Sequence, residues 1–259
     1  LGGVEKLSAN LGFLWNDLAL PDAIWAARVA GFDAVECHWP YDVPSDEVRK
    51  ALTETALPML GLNTIRGDLS AGENGLSALP GRQGEARAAI DQAIDYAKAI
   101  GAANIHVMAG FAEGEQAESC FVDALTYACS QAAMSGKSIL IEPLNKYDAP
   151  GYFLSKTDQA AAIIERVGAE NLRLMFDCYH VQLMEGDITN KLKTLLPIIG
   201  HIQFARVPDR GPPDGGELNY AHVFEALNNL GWDAPLGAEY KSPRPTNETL
   251  GWMNRLRNS

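Results

Sequence analysis

Eight times along this chain a short aliphatic run gives way to a stretch of helix-forming composition, and that alternation is what most limits the folds open to it. The clearest run lies in S-I-L-I-E-P-L-N, residues 138–145, where Ile139, Leu140 and Ile141 follow a helix stopped at Gly136. A compact β-branched run of this kind is what a strand buried on both faces requires. It stops at Glu142, and Pro143 then removes a backbone donor and holds Glu142 extended, so a carboxylate is fixed at a strand mouth.

The other units follow in order. Residues 7–14 alternate like a strand and 22–30 form a helix with Gly31 as its stop. Residues 32–37 are a second strand, ending in Glu36 and His38, and 45–56 a polar helix with Ser45 or Asp46 as cap. Strand three is 58–63. Residues 64–82 are Gly-rich with no sustained period, as expected of a lid or binding loop. Helix 83–100 closes at Gly101, strand 104–108 carries His106, and helix 117–135 leads into the Glu142 strand. Helix 155–167 has Ser155 as its expected cap, and strand 171–177 ends on Asp177. A short irregular helical stretch from D-C-Y-H, helix 188–195 and strand 198–204 come next. A second long loop, 206–219, precedes helix 220–230, strand 235–240 and helix 246–257.

No linker or low-complexity segment divides these eight alternations. They predict an α/β protein, a closed parallel (β/α)8 TIM barrel forming a single domain over residues 1–259, with its site at the C-terminal ends of the strands. No G-x-G-x-x-G or G-x-x-x-x-G-K follows any strand, which argues against an open doubly wound sheet.

A net charge of −12 and the lack of a Lys/Arg cluster with interleaved aromatics set the chain against a phosphate backbone, so nucleic acid is not an expected partner. No apolar run approaches the roughly 20 residues of a membrane span. The opening L-G-G-V-E-K lacks a basic segment followed by an apolar one, and a cytoplasmic location is expected. Cys37, Cys120, Cys129 and Cys178 form no C-x-x-C pair and are expected to be structural thiols in a reducing compartment. The oligomeric state is not legible in the sequence.

The Glu142 arrangement recurs at Asp177, Gln203 and Glu239, each at the end of a predicted strand. Any one of them alone reads equally as a strand-end side chain turned to solvent. Together they offer three carboxylates and an amide oxygen, a set that suits one hard divalent ion, Mg²⁺ or Mn²⁺, better than Zn²⁺, which the donors leave open. Without a cation the converging carboxylates would raise one another's pKa. His180, one turn after Asp177, and His106, at another strand end, are candidates for a substrate oxygen, with a structural histidine as the alternative. His201 is expected to pack in the core below Gln203, and His222 on a surface helix has no expected role. Arg66 and Arg210 lie on the two long loops, where each either receives an anionic group or is solvated.

These residues fall in blocks that resemble the hydroxypyruvate isomerase family, which includes 2-oxotetronate isomerases, within the xylose-isomerase-like barrels that also contain sugar epimerases and endonuclease IV. The blocks are A-N-L-G-F-L-W, A-G-F-D-A-V-E, P-Y-D, G-D-L-S-A-G-E-N-G, P-G-R, I-E-P-L-N, F-D-C-Y-H-V-Q, G-H-I-Q, G-E-L-N-Y and G-A-E-Y, in that order over almost the whole chain. The resemblance implies a divalent metal held by Glu142, Asp177, Gln203 and Glu239, with Glu142 and Glu239 as the acid/base pair. It implies a small keto/hydroxy acid or sugar as substrate, isomerised by proton transfer through an enediolate: hydroxypyruvate to tartronate semialdehyde, or 2-oxotetronate to 3-oxotetronate. Arg206, where an acidic residue is common, and Arg66, where a small one is usual, depart from the pattern and leave substrate size and charge open. A ketose 3-epimerase and a non-catalytic sugar-acid-binding barrel are the alternatives. An endonuclease would want a histidine-rich multi-zinc site and a basic face, and this chain has five His and an acidic balance.

Overall fold

The aliphatic runs form eight short strands, β1 (Leu7–Asn10), β2 (Ala34–Glu36), β3 (Gly61–Asn63), β4 (Asn104–His106), β5 (Ser138–Ile141), β6 (Leu172–Asp177), β7 (Ile199–Phe204) and β8 (Leu236–Ala238), in a computed structural model that describes residues 5–257. They pair in parallel in the order β2-β1-β8-β7-β6-β5-β4-β3. A parallel bridge between Val35 and Met59, with Val35 N–H donating to Pro58 and Leu60 N–H to Val35, joins β2 to the start of β3 and closes the ring. Strand order that runs with the sequence around a closed ring is the TIM barrel, without the order reversal of a doubly wound sheet.

Helices α1 (Leu20–Ala30), α2 (Ser45–Thr55), α3 (Gln83–Ile100), α4 (Gly114–Ala133), α5 (Thr157–Val167), α6 (Cys178–Met184), α7 (Ile188–Leu195), α8 (Tyr220–Asn229) and α9 (Gly251–Arg257) follow the strands. In α3, Ala86, Ala89, Ile90, Ala93, Ile94, Ala97 and Ile100 are buried at the three- and four-residue spacing of one helix face. Each buried Ile there is worth about 1.5–3 kcal/mol over exposure. Gly101 ends the helix at φ +76, its N–H returning to the Ala97 carbonyl in a conformation that a side chain disfavours.

Successive side chains on a strand point to opposite faces, and β7 shows what that does here. Phe204 turns outward against the rings of Tyr220, Phe224 and Trp252, at centroid distances of 5.5, 5.0 and 5.5 Å. Gln203, its neighbour, therefore turns inward. Between β6 and β7 the register steps from Leu174–Ile199 to Met175–His201, so Gly200 is an extra residue. A Cβ at Gly200 would lie 2.7 Å from Leu140 Cδ2 and 2.8 Å from Arg173 Cβ. The bulge sets Gln203 level with Asp177.

Several element ends differ from the sequence-based expectation. Strand β1 stops at Asn10, because the Phe13 and Leu14 N–H groups turn back to its carbonyl. Neither Ser45 nor Asp46 caps α2: Pro44 holds the cap position, and Asp46 Oδ1 accepts only from the next N–H, of Glu47. Ser155 does not cap α5, whose first residue, Thr157, donates its N–H and hydroxyl to Glu185 at the end of α6. The expected closing helix is a 3-10 turn, Thr246–Thr249, followed by α9. Residues 1–4, part of the stretch read for a leader, lie outside the described residues. Among the described residues no helix is long and apolar enough to cross a membrane. The four cysteines are free; burial and the Glu36 charge push the Cys37 thiol up to about 12, and burial also raises Cys178, as suits packing groups rather than nucleophiles.

Candidate active site

Glu142 and Glu239 are the first residues beyond β5 and β8, while Asp177 and Gln203 sit in β6 and β7, and all four are buried. Glu142, Gln203 and Glu239 line a cavity of about 400 Å³, its open mouth included, together with Asn10, Glu36, His38, Asn63 and His106. Asp177 enters the same cluster from β6: its Oδ1 accepts the Tyr179 N–H and caps α6, leaving Oδ2 turned inward. Strand ends thus place the polar groups, and the apolar runs behind them fix their heights.

Arg210 comes from the loop between β7 and α8 and reaches the same place. It is held at φ +59, its carbonyl accepts the Lys241 N–H at 2.7 Å, and its guanidinium lies between the Phe13 and Tyr179 rings at 4.8 Å from each. Nη2 donates to Glu239 Oε1 at 2.6 Å and stands 3.6 Å from Asp177 Oδ2. Asn10 Nδ2 and Gln203 Nε2 donate to the other oxygen, Glu239 Oε2, at 2.6 and 2.7 Å, and His38 Nε2 lies 3.7 Å from it.

Charge does not balance among these groups. Glu142, Asp177 and Glu239 face one guanidinium, an excess of two negative charges if all ionise. Burial, with Glu239 and Asp177 nearby, raises Glu142 well above the usual carboxylate range. Burial raises Asp177 to about 7 against the pull of Arg210. Burial also pushes Glu239 up, but His38 and Arg210 outweigh it and the net shift is downward. Two neighbouring imidazoles add no charge: burial lowers His106 to about 4 and lowers His180 well below its ordinary range, with Arg210 beside it.

Three buried oxygens make the same point geometrically. Glu142 Oε2, Asp177 Oδ2 and Gln203 Oε1 have no hydrogen-bond partner, and an orphaned buried acceptor costs about 1–3 kcal/mol, more when charged. Ligand atoms of Glu142, Asp177 and His180 lie within 4.8 Å of one another. A divalent cation would satisfy the orphaned oxygens and cancel the excess charge, so the residues fit a metal.

The four sequence-predicted ligands all lie at this barrel mouth, but the ligand atoms gathered within 4.8 Å belong to Glu142, Asp177 and His180, while both oxygens of Glu239 are engaged by Asn10, Gln203 and Arg210. His180 Nδ1 accepts the Asn145 N–H at 3.1 Å and its Nε2 is 3.7 Å from Asp177 Oδ2. His106 Nδ1 meets Asn63 Oδ1 at 3.1 Å, and its buried Nε2 has no partner. Arg66 is elsewhere: its guanidinium stacks 4.0 Å over the Trp39 ring rather than against the carboxylates. Arg206 turns to Asp209 on its own loop at 3.4 Å, and His222 is exposed on α8. His201 lies in the core as expected, but bound to Glu36 at 2.8 Å. Sequence reasoning left Asn10, Glu36 and His38 out of the site, although each stands at a strand mouth in the pattern that found Glu142.

A family model describing the xylose isomerase-like TIM barrel matches residues 24–256. A curated relative from Cupriavidus necator, 2-oxo-tetronate isomerase, is 44% identical over 254 residues, covering 96% of this chain and 98% of the relative. The hydroxypyruvate isomerase of Escherichia coli is 37% identical over 257 residues, covering 97% and 99%. A solved structure titled AP endonuclease, family 2, from Brucella melitensis superposes with a TM-score of 0.93 at 35% identity, covering 97% of this chain and 98% of the other.

Proposed function

This chain belongs to the xylose isomerase-like TIM barrel family, and from that premise we propose that it is a divalent-metal-dependent isomerase of small keto/hydroxy acids, acting on hydroxypyruvate or 2-oxotetronate. The observation that carries the reading is that Glu142 Oε2, Asp177 Oδ2 and Gln203 Oε1 are buried without a partner at the strand ends around one barrel mouth, with Glu142 and Asp177 ligand atoms within 4.8 Å of one another and of His180. The names of the Cupriavidus and Escherichia relatives support the substrate class. The nuclease title of the Brucella structure finds less support in a chain of net charge −12.

Glu142, Asp177, Gln203 and Glu239 would hold the ion, Mg²⁺ or Mn²⁺ by their oxygen donors. Bound there, such an ion acts as a Lewis acid that polarises a carbonyl and acidifies the adjacent C–H. The residues supply the rest. Glu142 and Glu239 are the two proton-transfer groups: one removes the proton from the hydroxyl-bearing carbon beside the carbonyl, and the other delivers a proton to the former carbonyl carbon of the enediolate, while the hydroxyl proton passes to the former carbonyl oxygen. Asn10, Gln203 and Arg210 hold Glu239 by hydrogen bonds at both oxygens and fix its direction. Arg210, flat between two rings, receives the anionic group of the acid, and His180 and His106 present neutral imidazole nitrogens to its oxygens. Arg66, on Trp39, is an outer contact for a longer substrate.

Proton NMR in D₂O tests this, with Mg²⁺- or Mn²⁺-supplemented protein and hydroxypyruvate or a four-carbon 2-keto acid. The expected result is isomer carrying deuterium, with the rate reduced about 10²–10⁴-fold in both Glu142→Gln and Glu239→Gln. Inverted stereochemistry at an unmoved carbonyl would assign a 3-epimerase instead, and no exchange with any of these acids would overturn the isomerase reading.

A further inference from the structure

Beside the three carboxylates of the proposed site lies a fourth buried one that the reaction as described does not use. Glu36, at the end of β2, accepts hydrogen bonds on both oxygens: Gln203 Nε2 at 2.7 Å and Asn10 Nδ2 at 3.3 Å on Oε1, Ser8 Oγ and His201 Nε2, each at 2.8 Å, on Oε2. Burying such a charge costs several kcal/mol before its partners compensate it, and an apolar side chain would fill a barrel core without that cost. The fold makes room for it specifically. Gly237 on β8 stands where any Cβ would meet both Glu36 oxygens and His201 Nε2 at 2.8 Å.

The four donors are not equivalent. A hydroxyl and an imidazole can reverse their roles and accept, but the amide nitrogens of Gln203 and Asn10 can only donate. Glu36 Oε1, together with Glu239 Oε2, thus sets which way the Gln203 amide faces, with Nε2 toward the two carboxylates and Oε1 left without a partner. It dictates the same for Asn10, whose Oδ1 is already taken by the Gly12 N–H. Both amides then converge on Glu239 Oε2.

We propose that Glu36 is a positioning residue for the metal site: through Gln203 and Asn10 it turns the Gln203 amide oxygen toward the cation and orients Glu239. This rests on the assignment of Gln203 and Glu239 as metal ligands. Glu36 touches neither substrate nor ion, and its effect passes through hydrogen bonds that set donor direction, as outer partners of metal ligands do.

The test is Mn²⁺ affinity of the full chain, read by electron paramagnetic resonance of free Mn²⁺, with the visible spectrum of the Co²⁺ form as a signature of the donor set. Glu36→Met removes every acceptor and is expected to weaken Mn²⁺ binding about 10- to 100-fold and to change the Co²⁺ spectrum, in protein shown folded by circular dichroism. Glu36→Gln is expected to recover most of the affinity, because its amide can face Ser8 and His201 and leave its oxygen to Gln203. If Glu36→Met does not fold, Gly237→Ala, which displaces the carboxylate without deleting it, must show the same loss. A folded Glu36→Met, or failing that Gly237→Ala, with wild-type Mn²⁺ affinity and an unchanged Co²⁺ spectrum would overturn the proposal. These readouts do not depend on isomerase activity: a chain that isomerises no acid yet loses Mn²⁺ in Glu36→Met retains the positioning role and sinks only the substrate reading.

Discussion

With divalent ions stripped, Asp177 and Glu142 should take stability away as pH rises, the reverse of the usual carboxylate effect. Asp177 moves from an ordinary value of 3.8 to about 7 in the folded chain, so between those values the folded state binds a proton that the unfolded state has lost. The slope of unfolding free energy with pH follows the excess of protons on the unfolded state, which here is negative, so stability is fully present below about 4 and is lost as pH rises through 7. A shift of about 3 units at about 1.4 kcal/mol each gives a loss on the order of 4 kcal/mol, and Glu142, also raised, adds to it in the same direction. For a chain of this size that is a fall in Tm on the order of 10 °C. Glu36 works oppositely and lower: burial would raise it, but the His201 charge and hydrogen bonds from His201, Gln203 and Ser8 hold it at about 2, so its contribution disappears only as pH falls from 4.5 through 2. Thermal unfolding followed by circular dichroism from pH 4 to 8, with EDTA and with excess Mn²⁺, separates these effects. Buried His106 and His180, both held below the ordinary imidazole range, take stability away as pH falls from 6.5 and so oppose this trend. The expected outcome is therefore read as a difference, with the wild-type Tm in EDTA falling relative to that of Asp177→Asn as pH rises from 4 to 8, and that fall absent with excess Mn²⁺. A wild-type Tm in EDTA that does not fall relative to Asp177→Asn across this range would refute the account of an uncompensated carboxylate cluster.

Three further outcomes are expected. Gly12→Ala puts a Cβ 2.0 Å from His38 Nδ1, so His38 must leave Glu239; turnover should drop about tenfold or more with little change in Tm, and unchanged turnover would deny His38 a part in the site. Arg210→Lys keeps a charge but not the planar fork, and should raise KM for the keto acid about 10- to 100-fold; an unaltered KM would remove Arg210 from substrate binding. Phe204→Ala empties the junction of β7 with α8 and α9 and should cost about 3–5 kcal/mol in urea unfolding, with a loss under 1 kcal/mol counting against that packing as an anchor of the β7 ligand.

The sequence by itself determined the barrel and one ring of its polar groups, because both are written in local patterns. Aliphatic runs such as 139–141 and glycine stops such as Gly31 and Gly101 act within a few residues, and a polar residue that ends a buried strand is held at the strand mouth whatever lies around it. That logic placed Glu142, Asp177, Gln203 and Glu239, and applied to every strand it would also have reached Glu36, whereas Asn10 falls inside the stretch 7–14 read as one strand and becomes a strand end only through the turn at Phe13 and Leu14. What it does not contain is which side chains meet across the ring. The Glu185 cap on α5, Arg210 rather than Arg66 in the cluster, the Glu36–His201 pair and the space left by Gly237 each join residues from 28 to more than 160 positions apart or depend on a backbone approach from another strand. Only closure of the barrel decides those, since hydrogen-bond reach is about 3 Å and the sequence holds no record of distance until the eight strands have been brought round to one axis.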